Sequence, residues 1–204
     1  MTWREQAASI RAELETEHAA REMALSEARR IIQAASRAIR HIHRGETANA
    51  ERVISEAKEG ARKVREALAA SPRILYAGYV HDAEKEFVEA VYLLAMIEGK
   101  PWPTHEVLGV SHVTLLHGAA EAASELRRTM LDRMRDGDFV SAARCLAMME
   151  EVYDELISMD FPDGMTNGLR RTTDALRAVL ERSRSDLTLT EVQERLRRTL
   201  ETKN

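Results

Sequence analysis

The chain has 204 residues with 30 basic and 34 acidic side chains, a net charge of −4, so it is not a uniformly basic nucleic-acid binder. Any polyanion site must come from local clustering. Aromatic residues make up only 4 % and there are four prolines, while alanine, arginine, glutamate and leucine abound, which is the composition of long packed helices. Cys145 is the single cysteine, so an intrachain disulfide is excluded and a reducing compartment is expected. The start, Met1-Thr2-Trp3-Arg4-Glu5, lacks an apolar signal core, and no run approaches the ~20 apolar residues of a membrane span. A soluble, cytoplasmic protein with no membrane partner is the expectation.

Residues 2 to 44 contain neither Pro nor Gly and keep a helical period throughout, which predicts one very long helix ended by Gly45. In its second half Ile31, Ile32, Ala35, Ile39 and Ile42 share one arc. Arg29, Arg30, Arg37, Arg40 and Arg44 share the opposite arc, with no acidic residue among them. Two readings stay open for these arginines: a solvated face, or a stripe that grips phosphates. His41 and His43 read as ordinary helix-end residues beside the negative end of the dipole. Arg37-x5-His43 resembles the Arg-x4–6-His signature of the metal-independent HEPN ribonucleases, but Ala38 stands where that signature favours a polar residue.

A second helix is predicted over 47–70, closed by Ser71-Pro72, which can cap a short turn. A helix over about 79–98 follows, then a break at Glu98-Gly99-Lys100-Pro101-Trp102-Pro103 and another at Gly109. Further helices are predicted over 111–136, over 139–159 with Asp138 as cap, and over 165–184. Thr188 with Glu191 reads as a capping box opening a last short helix. No segment shows useful strand alternation, so the expectation is a single all-α domain over 1–204.

Two of these helices carry carboxylates in apolar surroundings. Glu89 is the one charge between Phe87 and Ile97, and Glu86 lies three residues before it, on the same face. Glu121 and Glu125 are four apart, among Ala119, Ala120, Ala122 and Ala123, small residues that let another backbone approach closely. Carboxylates in such a setting are costly unless paired. Four together offer the hard oxygen ligands that suit Mg²⁺ or Mn²⁺. The competing reading pairs each Glu with an Arg, with Arg127 and Arg128 as near candidates for Glu125. His117 continues the ladder His117-x3-Glu121-x3-Glu125, yet neither helix has the Glu-x-x-His of di-iron bundles, so His117 is read as a hydrogen-bonding or rim residue. There is no phosphate-cradling Gly-rich loop, zinc-spaced Cys/His set or G-x-S-x-G elbow.

Taken in order, these features resemble the translin family, and within it the translin-associated factor X branch in its archaeal-type, single-gene form. Ser26-Glu27-Ala28-Arg29-Arg30-Ile31-Ile32, running on to His43-Arg44, is similar to the family's basic opening helix. Glu86-Phe87-Val88-Glu89-Ala90 resembles the motif E-Y-V-E-A. Leu115 to Arg127 resembles Y-L-L-G-x-A-D-x-x-G-E-L, with Gly118 one place off. Asp160-Phe161-Pro162-Asp163 and Leu169-Arg170-Arg171 extend the likeness over nearly the whole chain.

The resemblance implies a compact superhelical bundle of about seven helices assembling into a hollow homo-oligomer, an octamer. It implies a Mg²⁺- or Mn²⁺-dependent endoribonuclease acting on single-stranded RNA, with Glu86, Glu89, Glu121 and Glu125 as catalytic metal ligands. Under this reading Arg30, Arg37, Arg40 and Arg44 hold the strand by its phosphates, with little sequence preference. The chain departs from the pattern at Glu121, where the family has Asp, and one extra methylene could displace a ligand. The alternative is a non-catalytic shell that binds single-stranded RNA or DNA, as translin itself does, with structural acids.

Overall fold

The computed structural model describes residues 1–69 and 71–202. Among these the chain forms six long helices and three single-turn ones, without a strand: α1 (Trp3–His43), α2 (Thr47–Leu68), α3 (Pro72–Leu75), α4 (Gly78–Glu98), α5 (His105–Leu108), α6 (His112–Arg135), α7 (Phe139–Ile157), α8 (Asp163–Thr166) and α9 (Leu169–Glu201). The all-α expectation and most boundaries agree with this order. The expected end of the second helix at residue 70 lies outside the described residues.

Local chemistry explains the ends. Thr2 and Glu5 form a capping box at the start of α1, satisfying two orphan donors. Gly45, at a φ of +71°, takes the left-handed turn that ends α1 and lets α2 fold back along it. Ser111 and Asp138 accept backbone N–H groups at the starts of α6 and α7, Asp138 as its position predicts. The C-terminal expectation is corrected. Thr188 and Glu191 lie inside one continuous α9, and its true start is Leu169, after the left-handed pair Asn167 and Gly168. No Gly or Pro follows Gly168 to break the helix, and hydroxyls on either side of Thr188 bond back along it: Ser183 donates to the Val179 carbonyl and Thr190 to that of Asp186.

One hydrophobic cluster runs through the body of the molecule. The arc Ile31, Ala35 and Ile42 of α1 is buried against α2 and α4, as its spacing predicts. α4 is the central element, apolar on nearly all sides, with Phe87, Val88, Ala90 and Leu93 fully enclosed between α1 and α6. The far ends of the two longest helices leave this body. Trp3, Ile10 and Leu14 on α1, and Leu189, Val192, Leu196 and Leu200 on α9, are exposed large apolar side chains. No helix among the described residues is long and apolar enough to cross a membrane.

Candidate metal centre

The closest approach of two helices fixes the site. Gly118 of α6 lies against α4 so tightly that a Cβ there would stand 2.5 Å from Val88 and 3.0 Å from the Lys85 carbonyl. Only glycine fits that contact without displacing the backbone. Buried Ala119, Ala122 and Ala123 continue the thin face. With α4 and α6 held this close, Glu86 and Glu89 one turn apart on α4 meet Glu121, one turn beyond Gly118.

Oxygens of Glu86, Glu89 and Glu121 all lie within 4.8 Å of one another, and all three residues are half-buried. Such a set could hold a metal ion. The Glu-for-Asp departure at position 121 does not remove that side chain from the cluster. Glu125 is the member that stands apart from the triad, with its Oε1 2.6 Å from Nε2 of His43.

The electrostatics follow from this crowding. Burial, then the like charges of Glu86, Glu121 and Glu125, push the Glu89 carboxyl up to about 8. Burial and the Glu121 charge raise Glu86 as well. Neither Glu86 nor Glu89 has a cationic partner among the described residues. Three oxygen donors, crowded, half-buried and short of positive charge, fit a hard divalent cation.

Two side chains at the site escaped the sequence reading. Lys85 sets its ammonium 2.7 Å from Glu121 Oε1. Burial would lower the pKa of this lysine, but the hydrogen bond and charge of Glu121 outweigh it and the net shift is upward. Its signal was its position four residues before Glu89, on the same face. His43 is the last residue of α1, as its position predicts, and it is also almost fully enclosed, with a side chain 3 % exposed, and bound to Glu125. At about 100° per residue it stands roughly 20° from Ile32, on the apolar arc rather than beside the arginines. Neither Arg127 nor Arg128 supplies Glu125: Arg127 donates to Ser183 and Asp186, 3.0 and 2.6 Å away, so it ties α6 to α9.

His117 is a buried hydrogen-bonding histidine, 2.9 Å from both the Thr172 hydroxyl and the Thr166 carbonyl. It also stands edge-on to His81. Burial, then the neighbouring His117, lowers the pKa of His81.

The basic stripe divides in two. Arg30 bonds Glu27 on its own helix and Arg37 bonds Glu56 of α2, at 2.8 and 3.1 Å. Acidic partners outside the arc thus engage two of the arginines. Such exposed pairs are weak and a phosphate could compete for the guanidinium. Arg40 and Arg44, nearest His43, are exposed and make no ion pair among the described residues. A cleft of about 910 Å³ lies elsewhere, between Tyr153, Phe161, Leu169 and Arg177, and is lined by none of the four carboxylates.

The same architecture occurs in solved structures. AfC3PO, solved alone and in complex with duplex RNA, is 35 % identical over 92 % of this chain, with a TM-score of 0.84, and the match spans 97–98 % of its own length. The chain belongs to the translin family. Apo-NeC3PO has the same fold at 19 % identity and a TM-score of 0.81, matching 90 % of this chain and 96 % of its own. The uncharacterized protein MJ0175 of Methanocaldococcus jannaschii is 28 % identical over 169 residues, which is 82 % of this chain and 74 % of that protein. No family model matches the chain. For this translin-family chain, the E-x-x-E pair of α4 and the glycine-containing stretch of α6 are therefore the two sides of one helix contact.

Proposed function

We propose that this translin-family protein is a Mg²⁺- or Mn²⁺-dependent endoribonuclease that cleaves single-stranded RNA within a homo-oligomeric shell, an octamer by family resemblance. The observation that carries the reading is the Glu86–Glu89–Glu121 cluster, whose oxygens lie within 4.8 Å of one another. RNA binding rests on the likeness to AfC3PO, which is known in complex with duplex RNA. Oligomerisation is supported by the uncovered apolar residues of α1 and α9.

Glu86, Glu89 and Glu121 would hold the cation. A bound divalent cation supplies activation of water and neutralisation of charge on the scissile phosphate. Glu89 must release its proton to serve as a ligand, so cation affinity rises as pH climbs toward about 8. Lys85 holds Glu121 in place and keeps a positive charge beside the centre. Arg40 and Arg44 grip phosphates, with Arg30 and Arg37 joining when their glutamates yield; such contacts position a strand without reading bases.

The second reading is a non-catalytic nucleic-acid-binding shell. It is favoured by one feature: Lys85 and His43 already give Glu121 and Glu125 protein partners. Incubation of end-labelled single-stranded and duplex RNA of one sequence, with Mg²⁺ and with chelator, separates the two. Cleavage of the single strand that needs Mg²⁺ is the expected result. RNA retained intact under both conditions would leave the binding shell.

A further inference from the structure

Glu125 stands outside the triad, yet it is not free. His43 Nε2 lies 2.6 Å from its Oε1, across 82 positions of sequence. An ionised carboxylate only accepts, so Nε2 is the donor and carries the proton. The other ring nitrogen, Nδ1, is buried without a partner among the described residues. Among these, Glu125 is the sole hydrogen-bond partner of the ring, and the side chain is 3 % exposed. A ring so enclosed cannot touch RNA; whatever it does, it does through Glu125. Nor is the bond a by-product of broad packing. α1 packs mainly on α2 and α4, and His43 reaches past α4 to α6. It sits one residue before the exposed Arg44 and three after the exposed Arg40.

We propose that His43 is a positioning residue of the metal centre. It fixes Oε1 of Glu125, whose Oε2 has no hydrogen-bond partner among the described residues, and so holds that oxygen ready as a fourth donor to a cation bound by Glu86, Glu89 and Glu121. Carboxylates that surround a metal commonly depend on such outer hydrogen bonds for their orientation. The same bond anchors the end of the basic helix to the acidic helix, fixing Arg40 and Arg44 relative to the centre. The inference rests on the metal reading above.

The test is Mn²⁺ titration calorimetry on the full chain, wild type beside His43→Ala, His43→Asn and His43→Gln, with melting temperatures taken in chelator. A glutamine amide nitrogen falls near the place of Nε2, whereas an asparagine amide nitrogen falls near Nδ1. The Ala and Asn variants are expected to bind Mn²⁺ roughly 10- to 100-fold more weakly, and the Gln variant to recover most of that loss. A merely structural histidine would lower the melting temperature and leave Mn²⁺ affinity unchanged, which overturns the proposal. A Gln variant as weak as the Asn variant overturns it too. Should the Ala variant fail to fold, the Asn and Gln pair decides. Wild-type protein that binds no Mn²⁺ would refute the metal reading itself and this inference with it, so the wild-type titration tells the two failures apart.

Discussion

Two regions of α4, five residues apart, treat a carboxylate in opposite ways. Near its start Glu84 is buried, and Arg65 of α2 forks onto both oxygens at 2.6 Å. Burial raises the Glu84 carboxyl, and Arg65 opposes that shift. In the middle of the helix Glu89 is also raised by burial, but its neighbours Glu86, Glu121 and Glu125 are carboxylates that push it further. One region meets each carboxylate oxygen with a guanidinium nitrogen; the other gathers four carboxylates, with the Lys85 ammonium on Glu121 as the cation beside them. The two acids on one helix thus differ in what faces them: Glu84 is buried against an arginine, and Glu89 is half-buried among carboxylates.

The same substitution at both positions sharpens that contrast. Glu89→Gln should lower Mg²⁺-dependent RNA cleavage by orders of magnitude while raising the melting temperature in chelator, because it removes the charge the cation needs and the repulsion the fold carries. A single-turnover cleavage assay beside a thermal melt reads both. Glu84→Gln should do the reverse, costing about 3 kcal/mol of stability by leaving Arg65 short of its charge partner, as denaturant titration would show. Gly118→Ala should cost about 1–3 kcal/mol, since a Cβ 2.5 Å from Val88 forces α4 and α6 apart, and should also weaken Mn²⁺ binding by spreading the carboxylates. A variant with wild-type Mn²⁺ affinity would show that the close helix contact does not set the site.

Two further effects follow. Arg40→Glu with Arg44→Glu should weaken RNA binding alike across unrelated sequences and reduce the salt slope by about 1 per arginine lost. Filter binding at several salt concentrations measures it, and an unchanged slope would make that end of the stripe a solvated face. The second effect is on pH dependence. A carboxyl raised from 4.5 to about 8 contributes stability that is complete below pH 4.5 and lost as pH rises through about 8. Melting temperature in chelator should therefore drift down across that window, and Mn²⁺ should flatten the drift.

Much of this was readable from the chain. The absence of Pro and Gly over residues 2–44 predicts α1, and the apolar setting of Glu86, Glu89, Glu121 and Glu125 marks the two acidic helices. What could not be read were relations between helices. Five small residues, Gly118, Ala119, Ala120, Ala122 and Ala123, invite a close approach, and spacing alone does not say that Gly118 makes the contact. The Arg37–Glu56 and His43–Glu125 bonds join residues 19 and 82 apart, beyond the reach of any helical period. Other signals are present at helical spacing and take meaning only beside the structure. Glu27 lies one turn before Arg30, Lys85 one turn before Glu89, and His43 on the arc of Ile32. Thr188 with Glu191 fits a capping box in sequence, but no Gly or Pro after Gly168 breaks the backbone, and α9 runs through both residues.

The central claim is that Glu86, Glu89 and Glu121 together hold a divalent cation. Anomalous scattering from a crystal of the full chain soaked in Mn²⁺ measures this directly. The account predicts a peak bonded to oxygens of all three side chains, absent in crystals of Glu89→Gln. A wild-type crystal with no peak among them, Lys85 still seated on Glu121 and Mn²⁺ bound elsewhere, would contradict it.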